Sequence, residues 1–248
     1  MSKPVREGKA LVLLSGGIDS TTALALAAQE CESTMGVTIH YGQSHAKEIR
    51  SAEQVAEYYE APLVTVSLPS GIFDGYGSTL IDHGLTQPQA TYQELMDGFG
   101  ASPTYVPFRN ANLLAVATAV AMTHKFDFVY WAPHATDAHH NAYPDCTPEF
   151  SGAMANAILI GSDQKVRLVT PFQWMTKDDI VRLGLELAAP YHLTWSCYEG
   201  KDLHCGRCPT CVERIHAFTA NLVVDPLAYE TPVAWDNCSL FLLRPSTY

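Results

Sequence analysis

A short apolar run that ends in a glycine-rich turn constrains the fold of this chain more than any other feature. Residues 11–14 read LVLL, and SGGIDSTT follows directly at residues 15–22. Such a run is typical of a buried strand, and the Ser and Gly residues mark the turn that ends it. Residues 19–29 are rich in Ala and Leu, which favour a helix. The chain is therefore predicted to begin with a strand, a tight turn and a helix in direct succession.

The alternation of strand-like and helix-like segments continues beyond that unit. Strand-like runs occupy residues 36–41, 63–66, 126–131 and 166–170, and helical compositions occupy residues 47–60, 110–125, 149–160 and 177–187. This alternation predicts an α/β fold with a parallel sheet and helices on both of its faces. Residues 69–107 and 133–148 are predicted to be loops, the first a long insertion near the site. Because the alternation ends near Pro171, we predict a nucleotide-binding domain over residues 1–170 and a C-terminal segment over residues 171–248.

The charge balance and the hydropathy narrow the function classes. The 248 residues include 15 basic and 26 acidic side chains, a net charge of −11, whereas a protein that binds the phosphate backbone normally has a basic excess. Nucleic acid is therefore not expected as the main partner. No apolar run approaches the roughly 18 to 20 residues of a membrane span, and no apolar signal-peptide core follows the N-terminus. We therefore expect a cytoplasmic protein with reduced thiols.

The turn after the first strand has the chemistry of a phosphate-binding loop. Glycines at this point let backbone N–H groups approach a phosphate, and the helix N-terminus adds its dipole. The predicted nucleotide-binding residues are Ser15, Gly16, Gly17, Asp19, Ser20 and Thr21. The Ser and Thr residues supply hydroxyl donors, and Asp19 is expected either to cap the helix or to lie near a magnesium ion. The loop has neither the GxGxxG pattern nor a closing GK[ST], and its alternative interpretation is a plain strand-to-helix turn.

Four of the seven cysteines are predicted to hold a metal ion. The pattern C-x7-C-x2-C-x2-C is formed by Cys197, Cys205, Cys208 and Cys211. Four thiolates complete a tetrahedral zinc site with no open position, which indicates a structural role. An iron–sulfur cluster is the alternative for this spacing. His204 is expected to be a spare polar residue, and Cys31 and Cys238 are expected to be core or surface thiols.

Six segments occur in an order that is known from one family. They are SGGIDSTT (15–22), HYGQSH (40–45), VPFRN (106–110), YPDCTPEF (143–150), TKDDI (176–180) and TWSCY (194–198) with the remaining cysteines. On these segments the chain resembles the 7-cyano-7-deazaguanine synthase family, within the N-type ATP pyrophosphatases. The resemblance extends from about residue 10 to residue 218. It implies an adenine nucleotide alpha hydrolase-like fold with a small zinc-bound helical segment near the C-terminus.

The resemblance also implies an ATP-dependent carbon–nitrogen ligase. Members of the family adenylate 7-carboxy-7-deazaguanine with ATP and Mg²⁺, convert it with ammonia into an amide, and use a second ATP to dehydrate the amide to the nitrile. The implied catalytic residues are Lys177, Arg109 and Asp19, and the implied substrate residues are Tyr143, Asp145 and Asp137. Lys177 would neutralise the leaving pyrophosphate, and Arg109 would clamp a phosphate or a carboxylate. Family members tend to be dimers, so a homodimer is expected.

Several of these side chains also have a plainer interpretation. Lys177 is otherwise a solvated surface charge, and Arg109 is otherwise part of a buried structural ion pair. Asp145 is otherwise a turn residue after Pro144. Cys146 is expected to be a packed thiol, and we assign it no catalytic role.

Three departures from the family pattern keep a second function open. Phe108 stands where the family usually has Gly, Asp137 lies farther upstream of YPDC than is usual, and a tail continues beyond residue 220. The alternative function is a diverged relative that adenylates a deazaguanine-type acid and transfers it to another amine. The acidic charge balance argues against a tRNA thiolase. A zinc-stabilised binding module without catalysis is a further hypothesis.

Overall fold

Five parallel strands form the central sheet of this computed structural model, which describes residues 6–42, 46–69, 71–82, 85, 102–138, 142–199 and 202–240. The strands are β1 (Lys9–Leu13), β2 (Ser33–His40), β3 (Leu63–Ser67), β4 (Phe128–Tyr130) and β5 (Arg167–Val169). Their order is β3-β2-β1-β4-β5, and every neighbouring pair is parallel. The order reverses between β1 and β4, so the carboxyl ends of these two strands border the crevice where ligands bind in sheets of this type.

Helices cover both faces of the sheet, as the sequence predicts. The helices are α1 (Ile18–Glu30), α2 (Ala46–Tyr58), α3 (Arg109–His124), α4 (Ala135–Ala138), α5 (Pro148–Gly161), α6 (Lys177–Glu186) and α7 (Pro209–Ala220). One apolar core contains buried residues of α1, α2, α6 and α7, including Leu24, Val55, Ile180 and Phe218. The opposite core contains Leu114 of α3 and other residues of α3 and α5. The predicted fold class is therefore confirmed.

The predicted loop over residues 133–148 is wrong in part, because it contains the short helix α4 and a 3₁₀ turn at Pro144–Cys146. Local caps explain the second half of this segment, since the Thr147 hydroxyl accepts the Phe150 N–H at 3.3 Å and Pro148 occupies the first turn of α5. About half of the predicted insertion over residues 69–107 lies outside the described residues. Its described parts contain turns and neither helix nor strand.

The C-terminal segment completes the core on the α1 side. Phe172, Tyr191 and Phe218 are buried in the same cluster as Val12 and Leu24. Two short strands, β6 (Val223–Val224) and β7 (Ser239–Leu240), follow α7 and pair in parallel. The division of the chain near residue 171 stays a prediction, and both of its parts contribute to this one core.

Two cysteines outside the metal pattern lie where thiols were expected. Cys31 is buried in the core, and Cys238 is partly exposed in the tail. Among the described residues, none of the helices combines the length and the hydropathy that a membrane span requires.

Candidate active site

The carboxyl ends of β1, β2 and β4 border a cavity of about 280 Å³, which we call the main cavity. A smaller cavity of about 130 Å³, which we call the side pocket, adjoins it. Both are lined by Asp19, Leu80, Arg109, Lys177, Tyr198, Thr210 and Glu213. The shared walls therefore come from α1, α3, α6 and α7, elements that are far apart in the sequence.

The predicted phosphate loop lies at the edge of the main cavity. Ser15, Gly17, Asp19 and Ser20 line it, directly after β1 and at the start of α1. The Ser20 hydroxyl accepts the Ser15 N–H at 3.2 Å and lies 3.1 Å from the Ser15 hydroxyl. These contacts fix the turn ahead of the helix N-terminus, where an anion is favoured.

Two residues of the predicted loop have other roles. Gly16 has a φ of +82°, and a Cβ there would lie 2.6 Å from Ala52 N and from Glu48 O. This glycine therefore permits the close packing of α2. Thr21 is fully buried and lines neither cavity, so the prediction of a Thr21 donor to phosphate is corrected: the turn of α1 directs this side chain into the protein.

Asp19 and Lys177 form a direct ion pair in the wall that the two cavities share. Lys177 Nζ lies 2.6 Å from Asp19 Oδ2, and the lysine side chain is only 15% exposed, so Lys177 is not a solvated surface charge. Burial alone would raise the pKa of Asp19, but the ammonium of Lys177 holds it below its ordinary value. Asp19 does not cap α1, because Gly17 is the cap residue and makes no side-chain cap bond.

A capping box at Thr176 and Asp179 sets the start of α6. The Thr176 hydroxyl accepts the Asp179 N–H at 3.3 Å, and the Asp179 carboxylate accepts the Thr176 N–H at 3.0 Å. This reciprocal pair makes Lys177 the first residue of α6. The lysine is therefore held by a local sequence signal and directed to the loop by tertiary packing.

His134 joins Asp19 to the predicted substrate residue Asp137. Its ring is 1% exposed, and Nε2 lies 3.7 Å from Asp19 Oδ2 and 3.3 Å from Asp137 Oδ2. Its Nδ1 accepts the backbone N–H of Asp137 at 3.3 Å. Burial lowers the pKa of His134, which favours the neutral ring. Asp137 lines the side pocket.

Arg109 lines both cavities and contacts Tyr41. Its Nη1 donates to the Tyr41 hydroxyl at 3.1 Å, and its guanidinium lies 5.4 Å from the centroid of the Tyr41 ring. No described carboxylate lies within ion-pair distance of Arg109, which argues against the structural ion pair. Phe108, directly before it, has a φ of +54°. Glycine adopts this left-handed conformation without strain, so a glycine would fit this position more easily than the Phe108 of this chain.

The two predicted substrate residues of the YPDC segment differ in position. Tyr143 lines the side pocket, and its hydroxyl bonds to the Thr104 hydroxyl. Asp145 is buried and lines neither cavity; its carboxylate accepts the Asn110 N–H at 3.0 Å. The implied role of Asp145 as a substrate residue is therefore corrected, because this carboxylate accepts an N-terminal N–H of α3. Cys146 is buried, and burial raises the pKa of its thiol well above the ordinary value, as expected for a packed residue.

The four predicted metal ligands come together. Their sulfur atoms all lie within 4.8 Å of one another, and every one of the four residues is buried. Cys205 Sγ and Cys211 Sγ are 3.9 Å apart. The cluster is suited to a metal ion.

His204 lies beside this cluster and is not a spare polar residue. It is buried, and its Nε2 accepts the Ser196 N–H at 3.1 Å. Its ring packs against that of Trp195 at a tilted angle, with a centroid distance of 4.2 Å. His204 therefore packs the segment that precedes Cys197.

The cysteine cluster supports one wall of the main cavity. Trp195 donates its indole N–H to Cys197 O at 2.9 Å, and Thr210 donates to Ser196 O at 2.7 Å. The backbone N–H of Trp195 donates to Gly16 O at 2.9 Å, which joins this wall to the predicted phosphate loop. Cys208 is the cap residue of α7, whose first turns carry Thr210 and Glu213 into the site.

Sequence reasoning missed one imidazole and two carboxyl groups that line these cavities. They are His134, Glu48 and Glu213. Burial raises the pKa of Glu48 to about 7 and that of Glu213 to about 8. Helical periodicity would place Glu213 one half-turn after Cys211 on the same helix, but no spacing in the sequence distinguishes His134 or Glu48 from other polar residues.

The fold and the site together define a protein of the adenine nucleotide alpha hydrolase-like class, with a glycine-rich turn after β1 and a four-cysteine cluster. The family model described as queuosine biosynthesis protein QueC matches residues 9–222, and the chain belongs to this family. A 7-cyano-7-deazaguanine synthase of Archaeoglobus fulgidus is 43% identical over 92% of this chain and 92% of its own length.

Two further relatives have the same name and similar coverage. The synthase of Caldicellulosiruptor saccharolyticus is 39% identical over 92% of this chain and 99% of its own length. The synthase of Thermoplasma volcanium is 35% identical over 96% of this chain and 97% of its own length. The family predicted from the sequence motifs is thus confirmed, and it is a family of queuosine-biosynthesis enzymes.

Proposed function

We propose that this chain is an ATP-dependent ligase that converts 7-carboxy-7-deazaguanine and ammonia into 7-cyano-7-deazaguanine. The observation that carries the proposal is the buried Lys177–Asp19 pair beside the phosphate loop, in a cavity that adjoins a second pocket lined by Tyr143 and Asp137. Two adjoining spaces suit a reaction that joins a nucleotide to a small acid. The names of the relatives support the choice of acid.

In the first step a substrate carboxylate oxygen attacks the α-phosphorus of ATP, and pyrophosphate leaves. The N-terminus of α1 faces the phosphates, and Lys177 offsets the negative charge that develops on the leaving group. Arg109 reaches both cavities, so we assign it the clamping of phosphate or carboxylate.

In the second step ammonia attacks the acyl carbon, AMP leaves and one proton is released, which gives the amide. The amide oxygen then attacks the α-phosphorus of a second ATP, and a second pyrophosphate leaves. Loss of AMP and of the amide protons gives the nitrile. Tyr143 and Asp137 are proposed to line the binding place of the acid, and Asp145 has a supporting role through α3.

Asp19 fits a magnesium ion that accompanies the nucleotide. Its Oδ1 is buried and has no hydrogen-bond partner among the described residues, while Oδ2 is taken by Lys177. An unpartnered buried carboxylate oxygen is costly, and a hard cation is a suitable partner for it. Mg²⁺ would supply neutralisation of the phosphate charge.

The cysteine cluster fits one structural zinc ion. Four thiolates at about 2.3 Å from a tetrahedral ion lie about 3.8 Å apart. The spacing of 3.9 Å between Cys205 and Cys211 agrees with this value, whereas an iron–sulfur cube would hold its thiolates farther apart. We therefore assign zinc to Cys197, Cys205, Cys208 and Cys211.

We also propose a homodimer. Apart from Glu149 in the first turn of α5, the outward positions of α3 and α5 carry no carboxylate, and the exposed ones include Ala115, Ala119, Met122, Ala153, Ala157 and Ile160. In a chain with a net charge of −11, such a face suits a second copy better than it suits open solvent. Sedimentation velocity gives the mass, and a monomer at micromolar concentration contradicts the proposal.

The test is conversion of the acid in the presence of ATP, Mg²⁺ and ammonium, followed by product mass. Ser15→Ala and Asp19→Ala should each lower turnover by roughly a hundredfold to a thousandfold, the usual effect of removing one well-placed charge-stabilising group. Asp163→Ala, which removes an exposed carboxylate near Lys165, serves as the control and should retain activity.

Two outcomes contradict the proposal. Absence of any ATP-dependent amide or nitrile with the wild type removes the proposed reaction. Full turnover with a primary amine in place of ammonium, and none with ammonium, favours the diverged relative that uses another amine.

A further inference from the structure

A buried histidine at the end of β4 has no role in the reaction as described above. His134 follows the sheet by a few residues and lies on the wall of the side pocket. Its ring is 1% exposed, and both of its nitrogen atoms face polar partners. A polar side chain that is buried in this way is fixed in position.

Its hydrogen bonds determine which nitrogen carries the proton. Nδ1 lies 3.3 Å from the backbone nitrogen of Asp137, which can only donate. Nδ1 is therefore the acceptor, and the hydrogen of the neutral ring is on Nε2. Nε2 faces two carboxylate oxygens, Asp137 Oδ2 at 3.3 Å and Asp19 Oδ2 at 3.7 Å.

The two oxygens of Asp19 consequently have different surroundings. Oδ2 lies 2.6 Å from Lys177 Nζ and also faces His134, whereas Oδ1 is buried without a partner among the described residues. The Lys177 ammonium donates to Oδ2, and the His134 ring contacts the same oxygen at 3.7 Å, beyond hydrogen-bond distance, so both groups restrict the rotation of this carboxylate. The other oxygen is then left for an incoming ligand.

We propose that His134 is a positioning residue, which holds Asp19 so that Oδ1 is presented to the magnesium–nucleotide complex and at the same time holds Asp137 at the side pocket. The inference rests on the proposed function. One imidazole thereby sets the geometry of the nucleotide loop and of the acid-binding pocket together. It acts through the two carboxylates and does not itself touch the reacting atoms.

The test compares three substitutions of His134 with a surface control. Gln places its amide nitrogen near the position of Nε2, Asn places it near Nδ1, and Ala removes both. His192→Gln changes an exposed histidine and is the control. Calorimetry measures binding of Mg²⁺ with α,β-methylene-ATP, whose α–β bridge cannot be cleaved, so the measurement does not depend on turnover.

His134→Ala should weaken this binding at least about tenfold, the scale of one lost hydrogen bond to a charged group. His134→Gln should stay within about threefold of the wild type, and His134→Asn should resemble the Ala variant. In an Asp19→Asn background, His134→Ala should add little further loss, because the two residues act as one unit. Circular dichroism establishes that each variant is folded.

Three results overturn the inference. They are unchanged nucleotide binding by a folded His134→Ala protein, equal losses in the Gln and Asn variants, and full additivity with Asp19→Asn. If the Ala variant does not fold, the comparison of Gln with Asn decides. Conversion of the acid is measured separately: a wild type that binds the nucleotide but makes no amide or nitrile contradicts the proposed function, while the binding data still decide the role of His134.

Discussion

Replacing Asp225 by alanine would leave the guanidinium of Arg214 buried without its counter-ion. Both side chains are 0% exposed, with Nε–Oδ2 and Nη2–Oδ1 distances of 2.6 and 2.9 Å. Tyr229 also donates its hydroxyl to Asp225, and Arg214 donates to Thr194 at 2.7 Å. Asp225 therefore connects the tail to α7 and, through Arg214, to the wall of the main cavity. It lies beyond residues 9–222, which the family model matches.

The expected loss follows from the burial of this pair. Breaking a buried ion pair by removing one partner costs about 3 to 5 kcal/mol, because the remaining charge stays desolvated. In a chain of this size each kcal/mol lowers the melting temperature by about 2 to 4 °C. Asp225→Ala should therefore melt about 6 to 20 °C below the wild type.

The assay is calorimetric or optical melting of the wild type, Asp225→Ala and Asp236→Ala at equal concentration. Asp236 is an exposed tail carboxylate, and its loss should change the unfolding free energy by less than about 0.5 kcal/mol. Combining Asp225→Leu with Arg214→Met should restore part of the stability, since no unpaired charge remains. A melting temperature of Asp225→Ala within 2 °C of the wild type would refute the reasoning.

Three further perturbations test other parts of the structure. Cys208→Ser should lower both the zinc content, which is one ion per chain in the wild type, and the melting temperature. Cys238→Ser should lower neither. A wild type that contains no metal and is fully stable would contradict this prediction. Gly184→Ala should lower the urea midpoint of unfolding, because the added Cβ would lie 1.7 Å from the Tyr191 hydroxyl. The overpacking costs roughly 1 to 3 kcal/mol, which exceeds the gain in helix propensity of about 1 kcal/mol. A variant that is more stable than the wild type would contradict this packing. Burial raises the pKa of Glu48 from 4.5 to about 7, so the folded state favours the protonated carboxyl; the stability from this group is present below pH 4.5 and is lost as the pH rises through 7. The unfolding free energy of Glu48→Gln minus that of the wild type should therefore be larger at pH 8 than at pH 5. A difference that does not change with pH would contradict the raised pKa of Glu48.

Local signals in the sequence account for the features that were predicted correctly. The apolar run before SGG, the Ala-rich segments and the cysteine spacing each act over a few residues, so they predict the elements and the cluster of four cysteines without knowledge of packing. The Thr176 capping box is a signal of the same kind, and it places Lys177 at the start of α6.

Side-chain direction could not be read from the same signals. Asp145 and Tyr143 are two residues apart, yet only Tyr143 lines a pocket, because Asp145 is directed to the N-terminus of α3. Thr21 follows Ser20 in the loop, but the turn of α1 buries it. A motif specifies which residues occur together, and the packing of the helices decides which of them reach the cavity.

The sequence by itself therefore determined the fold class, the glycine-rich turn after the first strand, the cluster of four cysteines and the family of this protein. The tertiary structure alone decided the contacts between distant segments: Asp19 with Lys177, His134 between two carboxylates, and Arg214 with Asp225 in the tail. The physical reason is that burial and charge pairing depend on which surfaces meet in the folded state. Neither quantity has a period or a spacing along the chain.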